Sequence, residues 1–160
     1  ARERNDPALA VQAHQALGMT AFCRGEPAEA LRHVEKVAAL YDPVRHQAHA
    51  FQFGQDPGVI CKAFGAVALW LLGHPDAAAK ESEAAIRMSR GLWPSSQAVA
   101  VHFASMVHQL RRDRVQAREY ADASALIAAE PGHYSRELLQ AFGPQRVVDI
   151  GFSIIERETT

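Results

Sequence analysis

The segment Gly25-Glu26-Pro27-Ala28-Glu29-Ala30-Leu31 returns in outline as Gly73-His74-Pro75-Asp76-Ala77-Ala78. Each copy begins with a glycine that can end one helix, followed by a proline that suits the first turn of the next helix. Only small side chains let two helices approach closely. Small residues recur at matching distances from the turns, at Gly18, Ala66 and Ser105 and again at Ala30, Ala78 and Ala117. The pattern predicts repeated hairpins of antiparallel helices.

Turn residues divide the rest of the chain into pieces of helical length. The sequence is rich in alanine, which loses no side-chain entropy in a helix. Asp42 and Asp56 each precede a proline, and an aspartate in this position can cap a helix N-terminus. Gly54 suits the C-terminal end of a short helix. Helices are therefore predicted at residues 7–24, 27–41, 57–72, 75–90, 95–111 and 114–129, with a short one at 43–52.

The composition describes one compact domain of near-neutral charge. The chain has 160 residues, a formal net charge of -1 at pH 7, 48% hydrophobic residues and 22% charged residues. A neutral chain has no overall field to attract nucleic acid or an anionic membrane. The longest apolar run, 63–72, is about half of the ~20 residues that a membrane-spanning helix needs. We expect no nucleic-acid partner and no membrane association.

The N-terminal residues and the cysteines indicate the cellular compartment. Residues 1–7 lack the apolar stretch of a secretory signal, and Cys23 and Cys61 are too few for a disulfide framework. We expect both thiols to be reduced and the protein to be cytoplasmic. The chain does not begin with methionine, which leaves open that it belongs to a longer protein.

Several segments carry a family resemblance. Residues 25–31, running on to Tyr41-Asp42-Pro43, and residues 73–78 resemble the second half of a tetratricopeptide (TPR) repeat. A more specific resemblance is to the TPR region at the C-terminal end of large bacterial signalling proteins, which join a class III nucleotide cyclase to a STAND-type ATPase. The segments that carry it are Leu40-Tyr41-Asp42-Pro43, His46, Phe53-Gly54-Gln55-Asp56-Pro57-Gly58 and residues 68–76.

The resemblance covers roughly residues 8–130 and implies an all-α fold. The implied architecture is a TPR-like right-handed superhelix of antiparallel helix hairpins, with about three repeats, an inserted short helix and a divergent tail. We place the repeat domain at residues 1–132 and a capping or divergent tail at 133–160. Alternation in the tail is typical of a strand, whereas its position after a helical array favours a capping helix or disorder. The alternating apolar residues are Val148, Ile150, Phe152 and Ile154.

The residues that could carry chemistry do not form a recognisable catalytic or metal-binding pattern. No phosphate-binding glycine loop is present, nor are the paired aspartates that a cyclase needs. The histidine pairs His46/His49 and His102/His108 fall short of the three or four ligands of a zinc site. Ser95-Ser96 is interpreted as a helix cap. We therefore expect no enzyme activity, no metal and no cofactor, and any cyclase or ATPase activity would lie in a parent chain.

Stacked hairpins offer one binding surface, the concave groove that their first helices line. Met and Trp would supply adaptable apolar contacts, and Gln would bond a peptide backbone. Ordinary interhelical packing is the alternative interpretation of the apolar members. The candidate groove residues are Gln15, Met19, Phe22, Val67, Trp70, His102, Met106 and Gln109.

The predicted function is that of a non-catalytic protein-protein interaction or sensory module. Its partner would be a protein or peptide in the groove, or a neighbouring catalytic domain of the same chain. Two alternatives remain: a small-molecule sensor with its ligand near Trp70 and His102, and a structural spacer. Homo-oligomerisation through the apolar residues of the tail is a further expectation.

Overall fold

The computed structural model describes residues 7–43 and 54–129, and six helices occupy most of these two ranges. No strand occurs in them, so the predicted all-α class is confirmed for this part of the chain. All but the first residue of the short helix predicted at 43–52, and the whole tail at 133–160, lie outside the described residues. The helices are α1 (Pro7–Cys23), α2 (Pro27–Leu40), α3 (Pro57–Leu71), α4 (Pro75–Ser89), α5 (Pro94–Leu110) and α6 (Arg114–Ala129).

The six helices form three hairpins. α1 packs against α2, α3 against α4, and α5 against α6, and only three residues join the two helices of each pair. Such short connections make the paired helices antiparallel. The predicted hairpins are thereby confirmed.

The turns of the three hairpins share one hydrogen-bond pattern. In each turn, the second residue after the helix donates its N–H to the carbonyl oxygen three residues earlier. The next residue donates its N–H to the carbonyl oxygen five residues earlier. This is the Schellman motif, which requires a left-handed residue. Gly25, Gly73 and Arg112 hold that position, with φ angles of 76°, 87° and 62°. Arginine is an unusual choice, because a side chain in the left-handed region costs about 1–2 kcal/mol.

Small residues lie where the helices approach most closely. A Cβ placed on Gly18 would lie 3.0 Å from Cβ of His33 and 3.1 Å from Cζ of Phe64. At the matching place in the third hairpin, the Ser105 hydroxyl donates to the carbonyl of Ala117 over 3.0 Å. The sequence prediction of close helix contacts at these positions is confirmed.

Helix α3 lies at the centre of the described structure. It contacts α1, α2, α4 and α5, and from Pro57 to Ala68 only Lys62 is not fully buried. A helix that is apolar on all sides needs this environment. Because α3 touches both α1 and α5, the first helices of the three hairpins lie side by side. Among the described helices, none is both long enough and apolar enough to cross a bilayer.

Candidate functional site

Aromatic side chains connect α1, α3 and α5, which are the first helices of the three hairpins. The ring of Phe22 on α1 lies 5.9 Å from Phe64 on α3 and 6.1 Å from Phe103 on α5, measured between ring centroids. Phe64 is fully buried, whereas Phe22 and Phe103 are half-buried. The cluster therefore fixes the spacing of the three helices and keeps part of its apolar surface accessible.

The predicted groove residues fall into three classes of exposure. Val67 is 3% exposed and packs in the core, so it has no surface to offer a partner. Val67 therefore fits the alternative interpretation, which is ordinary packing between helices. His102 and Gln109 are exposed, and the half-buried members are Gln15, Met19, Phe22, Trp70 and Met106.

Three of the half-buried residues pack against one buried cluster. Phe22 from α1, Trp70 from α3 and Met106 from α5 all pack against the buried group that contains Val67 and Val107. Met19 lies one turn before Phe22 on α1 and packs against the neighbouring cluster. The structure thus brings together apolar side chains from three hairpins that are far apart in sequence.

A buried polar junction lies where α3 and α5 begin. Asp56 is 1% exposed, and its carboxylate accepts bonds from the N–H of Val59 over 3.0 Å and from the hydroxyl of Tyr41 over 2.8 Å. The predicted N-cap at Asp56 is confirmed. Burial, together with the adjacent Asp56 carboxylate, raises the pKa of Tyr41. The phenol therefore stays protonated and able to donate to Asp56.

The serine pair near the start of α5 does not cap the helix, contrary to the sequence interpretation. Helix α5 begins at Pro94, which places both serines inside the first turn. The Ser96 hydroxyl instead accepts from the N–H of Asp56 over 2.9 Å, and the Ser95 hydroxyl donates to the carbonyl of Gly54. The local sequence around the two serines does not indicate these partners, because they lie about forty residues away.

An apolar cleft of about 370 Å³ opens between α2, α3 and α4. Lys62 and Glu81 form a 2.8 Å ion pair at this cleft. Burial, together with the charge of Asp56, raises the pKa of the Cys61 thiol to about 12, so the thiol is unreactive at neutral pH. The cleft is on a different part of the molecule from the ligand position expected near Trp70 and His102. Its apolar lining includes Val34, Val37, Tyr41, Cys61 and Met88.

A second, more polar cleft of about 610 Å³ lies between α5 and α6. Its lining includes the predicted groove residue Gln109, together with Arg112 and Arg114. The neighbouring Arg111 turns away to bond the carbonyl of Pro75 over 2.6 Å and the carboxylate of Asp76 over 3.4 Å. The positive charge of Arg111 is therefore partly compensated by the second hairpin.

Of the two histidine pairs singled out by spacing, the structure describes only His102 and His108, and these two have separate surroundings. His46 and His49 lie outside the described residues. His108 lies 3.2 Å from the Asp113 carboxylate, whereas the exposed His102 packs edge-on against Phe103. Across residues 7–43 and 54–129, no group of three or more potential metal ligands lies together.

Comparison with known proteins finds no family model that matches the chain, and no curated protein or solved structure that is detectably similar to it.

Proposed function

We propose that the chain is a non-catalytic interaction module built as a TPR-like right-handed superhelix. Three hairpins with the same turn motif, and close contacts at the small residues Gly18 in the first hairpin and Ser105 in the third, support this architecture. The parent protein is a bacterial cytoplasmic signalling protein of the ATPase/cyclase type, in which this module binds a protein or peptide, or packs against a neighbouring catalytic domain. If such a protein has two conformations, a partner that binds one of them more tightly would shift the equilibrium toward that conformation.

The observation that carries the proposal is that Phe22, Trp70 and Met106, from three helices, pack against one buried cluster. We call the surface formed by these residues, Gln15, Met19, His102 and Gln109 the groove face. A few residues supply most of the binding energy at protein interfaces, and tryptophan is prominent among them. Methionine adapts its shape to different partners. Gln109 and His102 add exposed polar groups, which fix the register of a bound chain.

The test is retention of a partner from native cytoplasm by the folded chain. The Trp70→Glu variant introduces a charge into the groove face, and we expect it to lose the partner. Leu126→Glu is the matched control, because Leu126 is 71% exposed on α6 and lies outside the groove face. Circular dichroism establishes that both variants are folded. Equal retention by Trp70→Glu, Leu126→Glu and the unchanged chain would contradict the proposal.

The apolar cleft between α2, α3 and α4 favours a second candidate function, a small-molecule sensor. A cleft of about 370 Å³ with apolar walls and one ion pair has the character of a small-ligand site. Val34→Trp would fill it. If the sensor function holds, an apolar dye such as anilinonaphthalene sulfonate binds the folded chain and fails to bind Val34→Trp. A module with no ligand at either place would act as a spacer.

A further inference from the structure

The cleft between α5 and α6 presents two arginines, and no acidic residue is among the described residues that line it. We call it the arginine cleft. Its volume is about 610 Å³, and its described lining is Ser105, Gln109, Arg112, Arg114, Ala117 and Ala121. The Ser105 hydroxyl is already bonded to the carbonyl of Ala117. A bound group would therefore meet two guanidinium groups and one side-chain amide.

The other arginines nearby have acidic partners, whereas the two in the cleft have none. Arg111 pairs with a carboxylate of the second hairpin, and Arg118 pairs with Asp122. In the part of the chain that the structure describes, neither Arg112 nor Arg114 forms an ion pair or a side-chain hydrogen bond. This positive charge is a local feature, because the whole chain carries a formal net charge of -1.

The backbone at Arg112 is strained, in a turn where glycine would be unstrained. Its φ angle is 62°, and Gly25 and Gly73 hold the matching positions of the first two hairpins. A side chain in the left-handed region costs free energy that glycine avoids. Strained residues of this kind collect at binding and active sites. The arginine thus weakens the turn but supplies the cleft with a charge that glycine would not provide.

We propose that the partner of the groove face carries an acidic peptide segment beside its apolar contacts, and that Arg112, Arg114 and Gln109 bind this segment. The inference rests on the proposed function, because the groove face supplies the apolar part of the contact. Gln109 belongs both to the groove face and to the arginine cleft, so the two surfaces are continuous. A guanidinium group donates two parallel hydrogen bonds to one carboxylate, and a glutamine amide bonds the peptide backbone.

An acidic peptide fits this surface better than a nucleic acid does. A nucleic acid requires several cations along its phosphates, and a single strand also requires aromatic side chains on which its bases stack. The described lining of the cleft has two arginines and no aromatic residue. The adjoining groove face is largely apolar, which suits a segment that mixes acidic and apolar residues.

The experiment measures the fluorescence anisotropy of a fluorescein-labelled peptide in which pairs of leucine alternate with pairs of glutamate. The comparison peptide has glutamine in place of every glutamate. The unchanged chain is expected to bind the glutamate peptide about tenfold more tightly, and added salt is expected to reduce this preference. Arg112→Gly and Arg114→Gln are each expected to weaken binding of the glutamate peptide about fivefold and to leave the glutamine peptide unaffected.

Two features of the variants separate lost binding from lost folding. Arg112→Gly removes the backbone strain, so this variant is expected to be at least as stable as the unchanged chain. Arg118→Gln is the matched control, because Arg118 is 85% exposed on α6 and is not among the residues that line the cleft. We expect it to bind both peptides as the unchanged chain does. Circular dichroism establishes that each variant is folded.

Equal binding of the two peptides by the unchanged chain, or no binding of either, would overturn the proposal. So would an equal loss of binding in Arg114→Gln and Arg118→Gln. A single-stranded oligonucleotide that binds as tightly as the glutamate peptide at the same salt concentration would overturn it as well.

Trp70→Ala distinguishes failure of this proposal from failure of the proposed function, because it removes an apolar contact without adding charge. Loss of glutamate-peptide binding in Trp70→Ala, with unchanged binding in Arg112→Gly and Arg114→Gln, would overturn the arginine site and uphold the groove face. Loss of binding in the two arginine variants, with unchanged binding in Trp70→Ala, would uphold the arginine site and contradict the groove face.

Discussion

Replacement of Asp56 by alanine tests the buried junction that connects the first hairpin to α3. The carboxylate is buried and accepts two hydrogen bonds, one from the N–H of Val59 and one from the hydroxyl of Tyr41. Loss of a helix N-cap costs about 1 kcal/mol. Loss of a hydrogen bond to a charged acceptor costs about 1.5–3 kcal/mol. We therefore expect Asp56→Ala to lower the free energy of unfolding by about 3 kcal/mol.

The contribution of Tyr41 is separated by a double-mutant cycle. Tyr41→Phe removes one hydroxyl and leaves a buried carboxylate oxygen without that donor, which costs about 2 kcal/mol. Once Asp56 is already alanine, the same change has no carboxylate to affect. The two substitutions together are therefore expected to cost about 1–2 kcal/mol less than the sum of their separate effects.

Urea unfolding followed by circular dichroism measures all three variants and the unchanged chain. Asp122→Ala is the control, because Asp122 is 69% exposed and its ion pair with Arg118, at 3.7 Å, is exposed as well. Its expected cost is below about 0.5 kcal/mol. Strict additivity of Asp56→Ala and Tyr41→Phe would refute the reasoning. So would a cost for Asp56→Ala no larger than that of the control.

Further predictions concern packing, backbone conformation and titration. Gly18→Ala is expected to lower the free energy of unfolding by about 1–2 kcal/mol, because the new Cβ meets two packed neighbours at 3.0 and 3.1 Å; a rise in Tm would contradict this. Arg112→Gly is expected to raise that free energy by about 1 kcal/mol in urea unfolding, by relieving the left-handed arginine; destabilisation would contradict this. Ellman's reagent at pH 8 is expected to label the exposed Cys23 in the folded chain and to label Cys61 only after unfolding, since burial raises the pKa of Cys61 to about 12; two fast thiols would contradict this. Because the pKa of Tyr41 is raised in the folded state, stability is expected to fall as pH rises above the unfolded value of about 10, and to fall less in Tyr41→Phe; equal slopes would contradict this.

The helices and hairpins were predictable because turn residues mark their ends. Each described helix begins and ends within one residue of the predicted bounds. Proline at a helix start and glycine after a helix end act through the local backbone, so a single sequence carries the signal. The third turn differs in its residue type, because Arg112 adopts the left-handed conformation that glycine adopts in the other two turns.

The contacts between distant segments were not predictable. Ser96 looked like a cap in its local sequence, yet it accepts a hydrogen bond from Asp56, forty residues earlier. The Nδ1 atoms of His14 and His33 lie 3.0 Å apart across the first hairpin, although nineteen residues separate the two histidines in sequence. For the groove face, helical phase indicated which side of each helix faces its neighbours. Phase alone did not distinguish the buried Val67 from the half-buried Trp70, because that difference depends on the helices packed around them.

Photocrosslinking at single positions tests most directly whether the groove face binds a protein. A benzoylphenylalanine replaces His102, which is exposed on the groove face, or Leu126, which is exposed on α6 outside it. The account predicts that illumination in native cytoplasm joins a defined protein, or a defined domain of the parent chain, to position 102 and not to position 126. Crosslinks that form equally at both positions, or only at 126, would contradict it.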